Sequence, residues 1–152
     1  MTSAGLRAVV LAAAAVPLGC HDAAPPDPPP PAEVAFLFGM KDDATGVENF
    51  VAVTSDPAVI ARVRAELALA PEQRTLHIHG PIARGNGGRN LDWSWHFVPG
   101  DWDVVEISIE LCDGRPADVE SDLDYWIDTV GAFCPWGSRA LDELAVPASA
   151  AW

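Results

Sequence analysis

Leu76-His77-Ile78-His79-Gly80, Trp93-Ser94-Trp95-His96-Phe97 and Val105-Glu106-Ile107-Ser108-Ile109-Glu110-Leu111-Cys112-Asp113 all lie in one stretch, residues 76–113, whose alternation decides the fold class. Leu76, Ile78 and Ile82, then Trp93, Trp95 and Phe97, then Val105, Ile107, Ile109 and Leu111 are apolar at period two, the signature of strands with one buried face. The opposite face would carry His77 and His79, Ser94 and His96, then Glu106, Ser108, Glu110 and Cys112. Gly85, Asn86, Gly87, Gly88 and Asn90 form one turn-prone segment, and Pro99, Gly100 and Asp101 form another. Two hairpins are predicted. Turns near Asn86-Gly87 and near Asp101 would set His77 opposite His96 and His96 opposite Glu106. A slip of two residues brings His79 or Glu110 into that row instead. A slip of one would turn the apolar face outward, so parity is better specified than register.

Upstream, Val34–Phe38 and Asn49–Thr54 read as a hairpin around Asp43 and Gly46. Asp56-Pro57 is an N-cap followed by a first-turn proline, after which Ile60, Val63 and Leu67 recur at helical spacing, with Val59 and Ala70 beside them, until Pro71. Downstream, a second helix is predicted from Pro116 to Gly131 with Val119, Leu123, Trp126, Ile127 and Val130 on one side. The order is β-β-α-β-β-β-α. Two singly striped helices and a sheet with one apolar face satisfy one another as an α+β two-layer sandwich, with an antiparallel sheet of about five strands and both helices on one face. Trp93, Trp95 and Phe97 are expected in its core, and Trp102, in a turn between acids, in solvent.

The ends of the chain read differently. Arg7, the apolar run Ala8–Val16 and then Pro17, Leu18, Gly19 and Cys20 outline a signal peptide over residues 1–19, too short to span a membrane. Leu18-Gly19-Cys20 is similar to a bacterial lipoprotein cleavage site, which would lipidate Cys20, whereas ordinary cleavage would release a secreted protein. Pro17 departs from the usual lipoprotein pattern. Residues 20–32, rich in Ala and Pro, are expected to be a semi-rigid tether, 33–144 a single domain, and 145–152 a tail. The expected location is secreted or at the cell envelope, with membrane contact only through a lipid at Cys20.

Formal charge is −13, and Lys41 is the only lysine. Nucleic acid and anionic lipid surfaces are therefore excluded as expected partners. Cys112 and Cys134 remain once Cys20 is lipidated or cleaved away. An isolated pair in an oxidising compartment is expected to form a disulfide, worth roughly 3 kcal/mol on the chain-entropy account. The alternative, metal ligation by the two thiolates, lacks the close spacing of zinc sites.

Several constellations carry no chemistry. Asp118, Glu120, Asp122, Asp124 and Asp128 lack the glycine of a calcium loop and read as a solvated helix face. The glycines at 85–88 lack the Lys-Ser/Thr of a phosphate loop, and Ser138 is not in a nucleophile elbow. The histidine row is different. His77, His79 and His96 with Glu106 or Glu110 make a donor set suited to a divalent metal such as zinc, which would support hydrolysis by a metal-bound water. Against this stands a polar sheet face whose histidines hydrogen-bond their neighbours or meet a partner.

The motifs Phe50-Val51, His77-Ile78-His79-Gly80, Trp93-Ser94-Trp95-His96, Ile109-Glu110-Leu111-Cys112-Asp113 and Cys134-Pro135-Trp136-Gly137-Ser138-Arg139 resemble those of a domain family of small secreted bacterial proteins, named after the N-terminal domain of a calmodulin-binding protein. The likeness spans roughly 34–144 and implies a fold, with no mechanism attached. It places His77, His96, Glu110 and the Cys112–Cys134 pair inside its motifs, favouring Glu110 over Glu106. A calmodulin link does not follow, because the chain lacks a basic amphipathic helix. Two functions are thus expected in order: a non-enzymatic binding module for an extracellular or envelope protein or small ligand, then a metal-dependent hydrolase using His77, His96 and Glu110.

Overall fold

The computed structural model describes residues 32–145. The signal peptide, Cys20 and nearly all of the tether and tail lie outside the described residues. The elements are β1 (Val34–Met40), β2 (Phe50–Thr54), α1 (Pro57–Leu67), β3 (His77–His79), β4 (Ile82–Arg84), β5 (Trp95–Phe97), β6 (Asp103–Val105), α2 (Pro116–Ser121), a π-helical segment α3 (Tyr125–Val130) and β7 (Ser138–Leu144). Short 3₁₀ turns stand at Pro71–Gln73 and Glu110–Cys112. None of the helices among the described residues is long and apolar enough to cross a membrane.

An α+β fold built on antiparallel pairing stands, but the expected single sheet of about five strands does not form. Instead there is a three-stranded sheet in the order β2-β1-β7 and two separate ribbons, β3-β6 and β4-β5. The β1–β2 hairpin matches the sequence reading, with Phe36 opposite Ala52 and Phe38 opposite Phe50. Strand β7, whose sequence has no β-branched residue, pairs along the other edge of β1. Strand β1 is thus central, and side chains on both of its faces are buried, Ala35 on one and Phe36, Phe38 and Met40 on the other, which accounts for its near-continuous apolar run.

Hairpin β4–β5 turns through the glycine-rich segment as expected, with Ala83 opposite His96. Strand β3, in contrast, pairs with β6: His77 is opposite Val105, Ile78 opposite Val104 and His79 opposite Asp103. Ile78 and Val104 therefore point into the core, and the parity expected for the last strand is reversed by one residue. The ribbon's inner end is closed by a bridge between Gly80 and Phe133. A Cβ at Gly80 would lie 2.7 Å from the Cα of Trp102, so only glycine fits there without displacing backbone. Trp102, expected in solvent, is 2% exposed and donates its indole N–H to the Val53 carbonyl at 2.7 Å, its ring edge-on to Phe38.

Helix α1 starts where the sequence places it, with Asp56 accepting from the backbone N–H groups of Ala58 and Val59. Val59 and Val63 are its buried face, set against β7 and β6. The expected second helix is broken at Asp122 (φ −150°, ψ 69°) into α2 and α3, because the Asp122 carboxylate turns back to cap the N–H of Tyr125. The wide turn of α3 closes with the N–H of Gly131 on the carbonyl of Trp126, and Trp126 lies edge-on to Phe133. Phe50, Trp95, Phe97, Trp126 and Phe133 form one aromatic cluster with centroid spacings of 5.4 to 6.3 Å.

Asn90, read in sequence as a turn residue, is 2% exposed. Its side-chain oxygen accepts from the Val51 N–H at 2.9 Å, and its amide donates to the Trp95 carbonyl at 2.8 Å. It joins the three-stranded sheet to the β4–β5 ribbon. Asn90→Ala would leave the buried Trp95 carbonyl and the half-buried Val51 N–H unpaired and is expected to lower stability by about 2 kcal/mol, measurable by urea denaturation at unchanged slope.

Candidate functional site

Strand β6 ends at Val105, and the chain beyond it leaves the sheet. Residues 107–109 adopt no helix, strand or turn, and Ile109 is extended (φ −78°, ψ 143°) before the turn Glu110–Cys112. Ile107, Ile109 and Leu111, expected in the core, instead stand 84%, 64% and 59% exposed. Each leaves in water a side chain whose full burial is worth about 1.5–3 kcal/mol. Trp136, 42% exposed, stands beside them. Single exposed aliphatics are ordinary; four apolar side chains in one place are a surface suited to contact.

This ledge is held from beneath at three points. Cys112, at its end, is bonded to Cys134 with a Cα separation of 5.1 Å, both residues fully buried. The Cys134 N–H also donates to the Cys112 carbonyl at 2.7 Å. The third point is Ser108, whose side chain turns inward. Its Oγ accepts the indole N–H of Trp136 at 2.8 Å and lies 2.7 Å from Nε2 of His77. Asp113 completes the seat by accepting the Trp136 backbone N–H at 2.8 Å. Thr75, His77, Glu106, Ile107, Ser108 and Trp136 line a groove of about 220 Å³ along the ledge.

The electrostatics are one-sided. Arg62, Arg64, Arg84 and Arg115 are engaged by Asp103, by Glu143, by Asp124 and Asp128, and by Asp42 and Glu48 respectively. Arg74 donates to the carbonyls of Leu67, Leu69 and Ala140, and Arg139 to that of Pro71. Glu106 and Glu110, both exposed on the ledge, have no salt-bridge partner among the described residues. Elsewhere Asp43 accepts from Thr45, Gly46 and Glu48, which holds its carboxyl down at about 2.

The residues of the expected row are not brought together. His77 is in β3 and 4% exposed, bonded to Ser108. His79 stands opposite Asp103 at the other end of that strand. His96 is in the other ribbon, with Nδ1 donating to the Gly85 carbonyl at 2.7 Å and Gly87 packed over its ring. Glu106 and Glu110 face solvent. The reason is the pairing of β3 with β6 rather than with β5, which puts Val105 and not His96 across from His77. Among the described residues no group of three or more His, Cys, Asp or Glu side chains gathers in a way that would hold a metal ion. By sequence alone, Ser108 is one more polar strand residue and Ile107, Ile109 and Leu111 are core. The signal that points the other way is the acid-apolar alternation of 106–111, which fits a strand with either face outward.

Burial lowers the pKa of His77 below the ordinary imidazole value of 6.5; His79 and Lys41 act in the same direction and Asp113 opposes them. The folded protein therefore favours the neutral ring, and the unfolded chain takes up the proton first as pH falls. Stability is complete above about 6.5 and declines on acidification from there down to the folded value. His77→Gln keeps a hydrogen-bonding side chain and is expected to flatten that decline, as measured by denaturant midpoints between pH 7 and pH 4.

A family model described as the BP-74 N-terminal domain matches residues 34–147. No curated protein and no solved structure matches the chain.

Proposed function

We propose, for a chain that belongs to this N-terminal-domain family, a non-enzymatic role as a binding module that acts outside the cytoplasm and meets its protein partner through the ledge 106–111 and Trp136. The observation that carries this reading is the exposure of Ile107, Ile109 and Leu111 on a segment fixed by a disulfide and by the Ser108 contacts. A fixed apolar surface binds with less ordering cost than a loop that has to fold onto its partner. The segment 1–19 supports export by a signal peptide, with Cys20 as a lipid anchor, and the buried disulfide suits an oxidising compartment.

Ile107→Ser and Leu111→Ser change only exposed side chains and are expected to alter stability by no more than about 0.5 kcal/mol. The reading is tested with a photocrosslinking residue placed at Leu111 in the full chain, in the cell that produces it, with Glu72, on the turn after α1, as the comparison position. A discrete adduct from position 111 that Ile107→Ser abolishes, with none from position 72, supports the ledge as the contact surface. Equal adducts from both positions, or none from position 111, rule it out.

A further inference from the structure

The ledge offers more than side chains. The backbone N–H groups of Ile107, Ser108 and Ile109 donate to no acceptor among the described residues, and the carbonyls of Ile107 and Ser108 accept from none. The segment follows β6, which is paired on one side only, by β3, after a bend at Glu106. A stretch extended at Ile109, anchored at Ser108 and Cys112, with open peptide groups and exposed apolar side chains, offers a position for an added strand. Natural proteins blunt such edges with charge or proline; residues 106–111 contain no proline or lysine, and their charges are the two glutamates at the ends of the open stretch.

From this we propose that the partner binds by strand addition: an extended peptide segment pairs with Ile107–Ile109, packs aliphatic or aromatic side chains against Ile107, Ile109 and Trp136, and carries lysine or arginine toward Glu106 and Glu110. This rests on the reading of the ledge as the contact surface and specifies how that surface is used. Charge selects the partner. Glu106 and Glu110 flank the open segment, one at the bend after β6 and one at the start of the turn Glu110–Cys112, and both are exposed. The chain as a whole is at −13, which adds long-range attraction for a cationic segment. The Ser108 contacts serve the same end, because they turn the one polar side chain of the stretch inward and leave its peptide plane to the partner. The backbone bonds would give affinity, and the alternate apolar and basic positions specificity.

The test uses the full chain and a labelled decapeptide of alternating lysine and valine, followed by fluorescence anisotropy. Two further peptides carry N-methyl groups, one on every lysine and one on every valine. A strand presents alternate N–H groups to opposite edges, so only one of the two methylation patterns removes the donors that face the ledge. The expected result is saturable binding by the parent peptide, weakened tenfold or more by one methylation pattern and little by the other. Ile107→Ser with Leu111→Ser should weaken the parent by a similar factor, and a decapeptide of alternating glutamate and valine should not bind. Equal affinity of both methylated peptides with the parent would overturn strand addition while leaving the ledge as a side-chain contact surface. No binding by the parent overturns the strand-addition proposal; the crosslink from position 111 then decides separately whether the ledge reading survives.

Discussion

The bond between Cys112 and Cys134 decides where four parts of this chain meet. On one side of it runs the segment from β6 through Ile107, Ser108 and Ile109; on the other, Phe133 reaches into the aromatic cluster while Trp136 turns back over Ser108. Residue 134 is also the point from which the chain proceeds into β7 and closes the sheet against β1. Without the tie, the turn Glu110–Cys112 would rest on a few backbone bonds, and the exposed aliphatics beside it would be free to collapse inward. A covalent constraint is what allows a short segment to keep apolar groups in water in a defined arrangement. Its entropic contribution, about 3 kcal/mol for a loop of this length, is of the same order as the burial forgone by one exposed aliphatic side chain.

Much of the architecture is legible in the residues. The Asp56-Pro57 start of α1, the β1–β2 hairpin, the glycine-rich turn between β4 and β5, the placement of Trp95 and Phe97 in the core and the pairing of the two cysteines follow from local rules of capping, turn chemistry and redox state. What is not legible is which strand lies beside which. Sequential hairpins are the simplest arrangement of three alternating segments, but β4–β5 forms as an inner hairpin and β3 pairs around it with β6. That choice is made by long-range packing, in which Trp102 docks on β2 and Gly80 admits it at close range. The reversal of parity at Val104 and Val105 is its direct consequence; beyond them the chain bends out of the sheet, and Ile107, Ile109 and Leu111 stand at the surface.

The polar residues show the same dependence. His77 and His96 look equivalent in sequence, each between apolar neighbours in a strand. One becomes a buried support for Ser108 and the other a local bond closing the turn at Gly85. Asn90, which reads as a turn former, is a buried link between two sheets. Side-chain type supplies the capacity to hydrogen-bond in each case; the topology chooses the partner. The candidate site is accordingly half visible: its motif around Cys112 and Cys134 stands out, whereas the orientation of the residues between β6 and Cys112 does not.

The position of β7 has a mechanical consequence. It runs antiparallel to β1, with Ala35 opposite Leu144 at one end and Met40 opposite Ser138 at the other, so the first and last strands of the domain leave the sheet at the same corner. A pull between these two ends would load the β1–β7 ladder one rung at a time, as a zipper, beginning at Ala35–Leu144 and meeting a register irregularity at Leu37–Phe38. Once that ladder has opened, the Cys112–Cys134 bond keeps the loop it closes out of the extending chain, so traction across the termini would stop short of the full contour length.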